Sequence, residues 1–132
     1  MFDCIKMIFF TALTIFICIG TANTAVGPDN CKDVTIKIIN NLQQEIKVTE
    51  LKYYDYDAQK WRNEYTWTAL KVAPGMVRRR KRNLEHVDDD RTKVRIHYKR
   101  HRGGMSWTGI TTLDSDDFTC HDGCQVSFVI ED

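Results

Sequence analysis

Apolar and polar side chains alternate with a period of two through residues 33–131, and this alternation constrains the fold more than any other feature of the sequence. The clearest case is residues 92–100, where Val94, Ile96 and Tyr98 alternate with basic side chains. A period of two places successive side chains on opposite faces of a β-strand. No window of a dozen residues in this region shows the spacing of three and four that an amphipathic helix requires. The sequence therefore predicts an all-β chain.

Turn residues divide the alternating region into seven or eight short strands. The turn signals are Asn40-Asn41, residues 55–58, Pro74-Gly75 and Gly103-Gly104. In the second strand the parity of the apolar residues changes near Thr49 and Glu50, which predicts a β-bulge. The strand number and spacing fit a single antiparallel β-sandwich of immunoglobulin-like size, or a small β-barrel. A chain of 132 residues has room for one such domain, which excludes a two-domain enzyme.

Residues 1–22 predict a secretory signal peptide that precedes the domain. Lys6 stands before an apolar run over residues 7–19. At about 1.5 Å per residue the run would span about 20 Å, which is shorter than the roughly 30 Å core of a bilayer. Small side chains at Gly20 and Ala22 favour cleavage after Ala22. Residues 23–132 would then form one secreted or periplasmic domain, and an uncleaved membrane anchor is the alternative.

Three cysteines remain after the predicted cleavage: Cys31 before the first strand, and Cys120 and Cys124 before the last. An oxidising compartment favours one disulfide and one spare thiol. A bridge from Cys31 would close the longest loop and stabilise the fold most. We expect Cys31 to pair with Cys124, with Cys120 as the alternative. The spacing of Cys120, His121 and Cys124 also resembles part of a zinc site, but no second ligand pair completes it, so we expect neither a metal nor another cofactor.

Basic residues are concentrated in one third of the chain, although the formal net charge is only +1. Residues 71–102 contain twelve Lys and Arg against four Asp and Glu, a net charge of +8, and the rest of the predicted mature chain carries −7. Such a block predicts a surface that attracts anionic partners. The alternative is a charged sheet edge that prevents edge-to-edge pairing. The candidate basic face consists of Arg78, Arg79, Arg80, Arg82, Arg95, His97 and Lys99.

Strand geometry predicts the arrangement of three residues of this face. Alternation places Arg95, His97 and Lys99 on the side of their strand opposite the apolar residues, about 7 Å apart. We expect this solvent-facing set to adjoin residues 78–82 on a neighbouring strand or its turn. Lys37 and Lys47 lie outside the block, and we expect them to contribute much less to binding.

An aromatic hairpin is the second candidate site. Tyr53, Tyr54 and Tyr56 lie at a turn, and strand parity cannot bury all three. Aromatic side chains at a hairpin tip suit contacts with a sugar, a peptide or a membrane interface. The alternative is that they close one end of the core.

No combination of residues in the sequence indicates catalysis, so we do not expect an enzyme. The Gly-x-Ser-x-Gly, phosphate-loop and His-Glu-x-x-His motifs are all absent. The leading hypothesis is a secreted, non-catalytic binding module whose anionic partner is an acidic protein patch, a polysaccharide or a lipid headgroup. The alternatives are a membrane-acting toxin and, with less support, a small hydrolase. We expect no specific nucleic-acid role, and any membrane contact would be peripheral.

Cleavage of the signal peptide should leave a mature chain that begins at Asn23, because the apolar run has the length of a signal peptide rather than of a membrane span. Mass spectrometry of the protein recovered from outside the cytoplasm measures this terminus directly. An intact Met1 terminus in the membrane fraction would contradict the prediction.

Overall fold

The computed structural model describes residues 30–132, in which all regular structure is β. The predicted signal peptide and residues 23–29 lie outside the described residues. The strands in chain order are β1 (Cys31–Asn40), β2 (Ile46–Asp55), β3 (Lys60–Val72), β4 (Val77–Leu84), β5 (Arg91–Thr92), β6 (Val94–Gly103), β7 (Ser106–Trp107), β8 (Thr111–Asp114), β9 (Phe118–Thr119) and β10 (Gln125–Ile130). The prediction of an all-β chain is confirmed.

Two sheets enclose one hydrophobic core. The sheet with the order β10-β1-β4 is called the back sheet. The front sheet has the order β3-β2-β6-β7, and β8 also pairs with β6. Strands β5 and β9 form a short ladder of their own. Neither sheet closes on itself, so the β-sandwich prediction is correct and the barrel alternative is wrong.

Alternate side chains of the long strands form the core, as the period of two predicts. In β6 every second residue from Val94 to Tyr98 is buried, and the same pattern runs through β1, β2 and β10. The parity change in β2 is a β-bulge, since the register with both neighbouring strands shifts between Val48 and Glu50. The bulge allows both Val48 and Leu51 to reach the core.

The first and last strands pair directly, and they pair in parallel. Strand β1 lies between β10 and β4, and its register with β10 runs from Thr35 opposite Gln125 to Asn40 opposite Ile130. The other strand pairs of residues 30–132 are antiparallel. Parallel neighbours need a long connection between them, and here the rest of the sandwich provides it.

A disulfide ties the start of β1 to the segment before β10. Cys31 is bonded to Cys120, with Cα atoms 6.1 Å apart, and both residues are buried. The predicted bridge from Cys31 is confirmed, but the favoured partner Cys124 is wrong. The carbonyl of Cys124 accepts a hydrogen bond from Thr35 N in β1. Cys124 therefore lies level with Thr35, four residues further along β1 than Cys31. Cys120 lies before the intervening turn, level with the start of the strand.

Loss of this disulfide should lower the free energy of unfolding by about 4 kcal/mol, because the unfolded chain regains the freedom of a long loop. Urea denaturation of Cys31→Ser measures the loss. The matched control is Cys124→Ser, which removes a free thiol and should cost less than about 1 kcal/mol. Equal losses in the two variants would show that Cys31 is not held by a stabilising bridge.

Candidate functional site

The predicted basic face is divided between the two sheets. Strand β4, which carries residues 78–82, belongs to the back sheet, whereas β6, which carries Arg95, His97 and Lys99, belongs to the front sheet. The expectation that the two sets adjoin on one face is therefore wrong. The alternation along β6 is as predicted, but a pattern within one strand does not show which strands become its neighbours.

The arginines of β4 lie on both faces of the back sheet. Arg78, Arg80 and Arg82 lie opposite core residues of β1, so they share the core-facing side of the back sheet. Arg79 lies opposite Lys37 and shares the outer face with it.

The three core-facing arginines lie along the seam, the side of the sandwich where the edge strands β3 and β4 face each other. Arg78 Nε donates to Lys71 O of β3 over 3.4 Å, and the Arg82 guanidinium lies 3.7 Å from the ring centroid of Tyr65. Arginine stems cover apolar surface while their charged ends reach water. Charges that point inward at an edge strand also prevent it from pairing with another chain. The seam arginines thus fit the alternative interpretation, protection of a sheet edge.

Two of the three basic side chains predicted on β6 are paired with carboxylates. Arg95 donates to Asp114 through Nε and Nη2 over 2.6 and 2.9 Å, and it holds the pKa of that carboxyl below its usual value. His97 Nδ1 lies 2.9 Å from Glu50 Oε2, within hydrogen-bonding distance. Of the three, Lys99 alone has no ion pair within the described range.

Lys99 belongs to a row of three lysines that crosses the front sheet. Lys47 of β2 lies directly opposite Lys71 of β3 on one side and Lys99 of β6 on the other. Neighbouring strands are about 4.8 Å apart, so the three side chains leave the same face side by side. No carboxylate of residues 30–132 forms an ion pair with them. These three residues are called the lysine row.

The indole of Trp107 in β7 lies beside the lysine row. Its ring centroid is 4.6 Å from Lys47 Nζ and 5.8 Å from Lys71 Nζ, and it packs 4.9 Å from the His101 ring. These cation–π contacts offset part of the repulsion between the lysines. Like charges directly opposite each other on adjacent strands still destabilise a sheet. The row is therefore suited to bind an anion from outside the domain.

Sequence reasoning missed the row because its members come from three separate strands. Lys47 lies outside the basic block, yet the register places it beside Lys99. Parity within each strand shows only that each lysine faces away from the core. The register between the strands, which brings the three together, leaves no signal in the sequence.

The predicted aromatic tip is mostly engaged within the domain. Tyr53 is buried in the core, and Tyr54 and Tyr56 contact each other edge to face with ring centroids 4.7 Å apart. Cations lie over the two outer rings: Arg91 is 4.7 Å from the Tyr56 centroid, and Lys93 is 5.3 Å from that of Tyr54. The hairpin fits the alternative interpretation, in which these rings close one end of the core.

A polar groove of about 540 Å³ opens along the seam, between residues of β3, β4 and the start of the described chain. Glu64 lines it as the extra residue of a β-bulge, because the register of β3 shifts between the partners of Leu51 and Lys52. Burial raises the pKa of Glu64 to about 7, a shift that Arg82 opposes and Glu85 increases. The groove therefore holds a carboxyl group that titrates near neutral pH.

The cysteine cluster does not form the zinc-like site whose spacing the sequence resembles. The sulfur atoms of Cys31, Cys120 and Cys124 lie within 4.8 Å of one another, but the disulfide occupies two of them. His121 points elsewhere, with Nδ1 2.8 Å from Asp89 Oδ1. The cluster stabilises the chain ends rather than presenting three thiol ligands.

Comparison with known proteins finds no family model, no characterised sequence and no solved structure that matches the chain. The part of the chain from residue 30 onward contains no helix long and apolar enough to cross a bilayer. The candidate site is therefore defined by geometry alone: the lysine row and the indole beside it.

Because of Glu64, the free energy of unfolding should be larger at pH 5 than at pH 8. The folded-state pKa of about 7 lies above the ordinary value of 4.5, so the folded protein binds the proton more tightly and stability falls as the pH rises through 7. Glu64→Gln should remove this dependence on pH and raise the free energy of unfolding at pH 8 by about 1–2 kcal/mol. This figure is smaller than the full pKa shift would give, because water in the groove screens the charge. Urea denaturation at pH 5 and pH 8 measures the difference, with Glu131→Gln as the exposed control. An unchanged slope in Glu64→Gln would contradict the assignment.

Proposed function

We propose that this protein is a secreted or periplasmic, non-catalytic binding module that holds an anionic partner on the lysine row. The observation that carries the proposal is the register of Lys71, Lys47 and Lys99, three adjacent cations with no ion pair in residues 30–132. A phosphate, sulfate or carboxylate group placed across two of these side chains would relieve their mutual repulsion. Recognition and electrostatic attraction would thus arise from the same three residues.

Three other members of the predicted basic face are already engaged within the domain. Arg95 is paired with Asp114, His97 contacts Glu50, and Arg82 is stacked on Tyr65. Their charges are already used inside the domain, so they contribute to the long-range field more than to direct contacts. The lysine row differs from these three residues in that it combines three adjacent cations with no ion pair in residues 30–132.

The compartment is inferred from two independent features. A disulfide that joins Cys31 to Cys120 is the kind of bond that persists in oxidising compartments. The apolar run over residues 7–19 has the length and flanks of a signal peptide. Both features support a protein that acts outside the cytoplasm.

The test uses heparin as a soluble polyanion and measures its affinity by isothermal titration calorimetry over a series of salt concentrations. Affinity should fall steeply with salt, because ions screen exposed charges beyond about 8–10 Å at moderate ionic strength. The double variant Lys47→Glu/Lys99→Glu should bind about tenfold more weakly or worse, which corresponds to about 1.4 kcal/mol. Neither residue lies in the core, so far-ultraviolet circular dichroism should be unchanged.

The matched control is Lys32→Glu/Lys60→Glu, which changes the net charge equally at exposed positions in the opposite half of the sandwich. This control should weaken binding less than about threefold, since only the overall field changes. Equal weakening in the two double variants would mean that net charge, and not the row, binds the polyanion, and the proposal would fail.

A further inference from the structure

The lysine row lies close to one end of the sandwich, which we call the turn end. Three connections meet there: residues 41–45 between β1 and β2, residues 73–76 between β3 and β4, and the turn between β6 and β7. Ile46, the residue before Lys47, is opposite both Val72 and Arg100, so the row lies one position from the end of β2 and of β3.

Exposed apolar side chains are concentrated at the same end. Met105 is 97 % exposed in the β6–β7 turn, Ile110 is 61 % exposed between β7 and β8, and Met76 is 52 % exposed after the β3–β4 turn. Val129, near the end of β10, is 44 % exposed. Among the large hydrophobic residues exposed in the described chain, only Tyr65 lies away from this end. Isolated exposed apolar residues are ordinary, but here four lie at one end of the sandwich, although Val129 faces outward from the back sheet, away from the lysine row.

Charge at the turn end favours an anionic surface. Besides the lysine row, His101 and Arg102 follow in β6. The acidic side chains of this end are Glu45, Glu131 and Asp132, and Asp132 is already bound to Arg100 over 2.7 Å. Basic groups therefore remain in excess next to the exposed apolar residues.

The turn end is held in place by a buried asparagine. Asn40 Nδ2 donates to Gln44 O and to Val72 O, each over 2.9 Å, and Asn40 Oδ1 accepts from Leu42 N over 3.0 Å. Its backbone N donates to Met76 O over 3.0 Å. One residue thus fixes two of the three connections, including the one that carries Met76.

We propose that the turn end docks on an anionic phospholipid bilayer, with the lysine row on the headgroup phosphates and Met105, Ile110 and Trp107 in the interface. This rests on the proposed function and names the partner of the same site. A polysaccharide or an acidic protein patch would engage the lysines but would leave Met105 in water. A bilayer interface receives both kinds of side chain, because cations meet anionic headgroups just above the apolar layer.

The opposite end is less suited to the same role, although it carries more aromatic residues. Tyr54, Tyr56 and Trp61 there pack against one another and under Arg91, Lys93 and Arg95. Insertion of these rings would require those cation–π contacts to break. At the turn end Met105 and Ile110 are already exposed and need no such rearrangement, and the Trp107 indole lies beside the same lysines that would meet the headgroups.

The experiment measures co-sedimentation of the mature protein with two kinds of vesicle. One is phosphatidylcholine alone, and the other contains about 30 % phosphatidylglycerol as the anionic lipid. Binding should require the anionic lipid. Met105→Ser/Ile110→Ser should weaken vesicle binding about tenfold and leave heparin affinity unchanged, because only the bilayer offers apolar contacts. Lys47→Glu/Lys99→Glu should weaken both.

Tryptophan quenching locates the contact. Lipids brominated in the acyl chains should quench fluorescence of the wild type and of Trp61→Phe, whose indole lies at the opposite end, but quenching should be lost in Trp107→Phe. Loss of quenching in Trp61→Phe instead would assign the membrane contact to the aromatic end and overturn the inference.

The remaining outcomes separate this inference from the proposed function. Vesicle binding that depends on the lysines but is unchanged in Met105→Ser/Ile110→Ser would overturn the docking while the anion site stands. Heparin binding without vesicle binding would also overturn the docking on a bilayer, and it would assign the lysine row to a polysaccharide. If lysine reversal affects neither ligand, both proposals fail.

Discussion

Burial of alternate side chains between two open sheets is the interaction on which this structure depends. Each long strand gives one face to the common core, and removal of that apolar surface from water is the main favourable contribution to folding. Strand β1 is central to it, because it pairs on both sides and is linked through Cys31 to the segment before the last strand. Everything charged must then lie on an outer face or at an open edge.

The open edges explain the inward-pointing arginines of β4. Strands β3 and β4 end the two sheets on the same side, and the arginines of β4 that point inward cover the core there. Arg82 also gains a cation–π contact with Tyr65. The inward-pointing arginines of the densest basic segment are therefore structural, and the front sheet separately aligns three lysines that have no ion pair in residues 30–132.

Much of the fold could be predicted from the sequence, but little of the candidate site could. The alternation identified the buried residues of β6, and the parity change near Thr49 located the bulge in β2. The expected adjacency of residues 78–82 and Lys99 failed, because β4 and β6 belong to different sheets. Lys47 entered the site only through its register with Lys99.

The sequence by itself determined the all-β class, the faces on which the side chains of β6 lie, and the participation of Cys31 in a disulfide. These follow from local chemistry, since a period of two acts within one strand. The tertiary structure decided the partner cysteine, the division of the basic block and the alignment of the lysine row. Those depend on which strands become neighbours and in what register, and long-range pairing is selected by the packing of the whole core rather than by any local pattern.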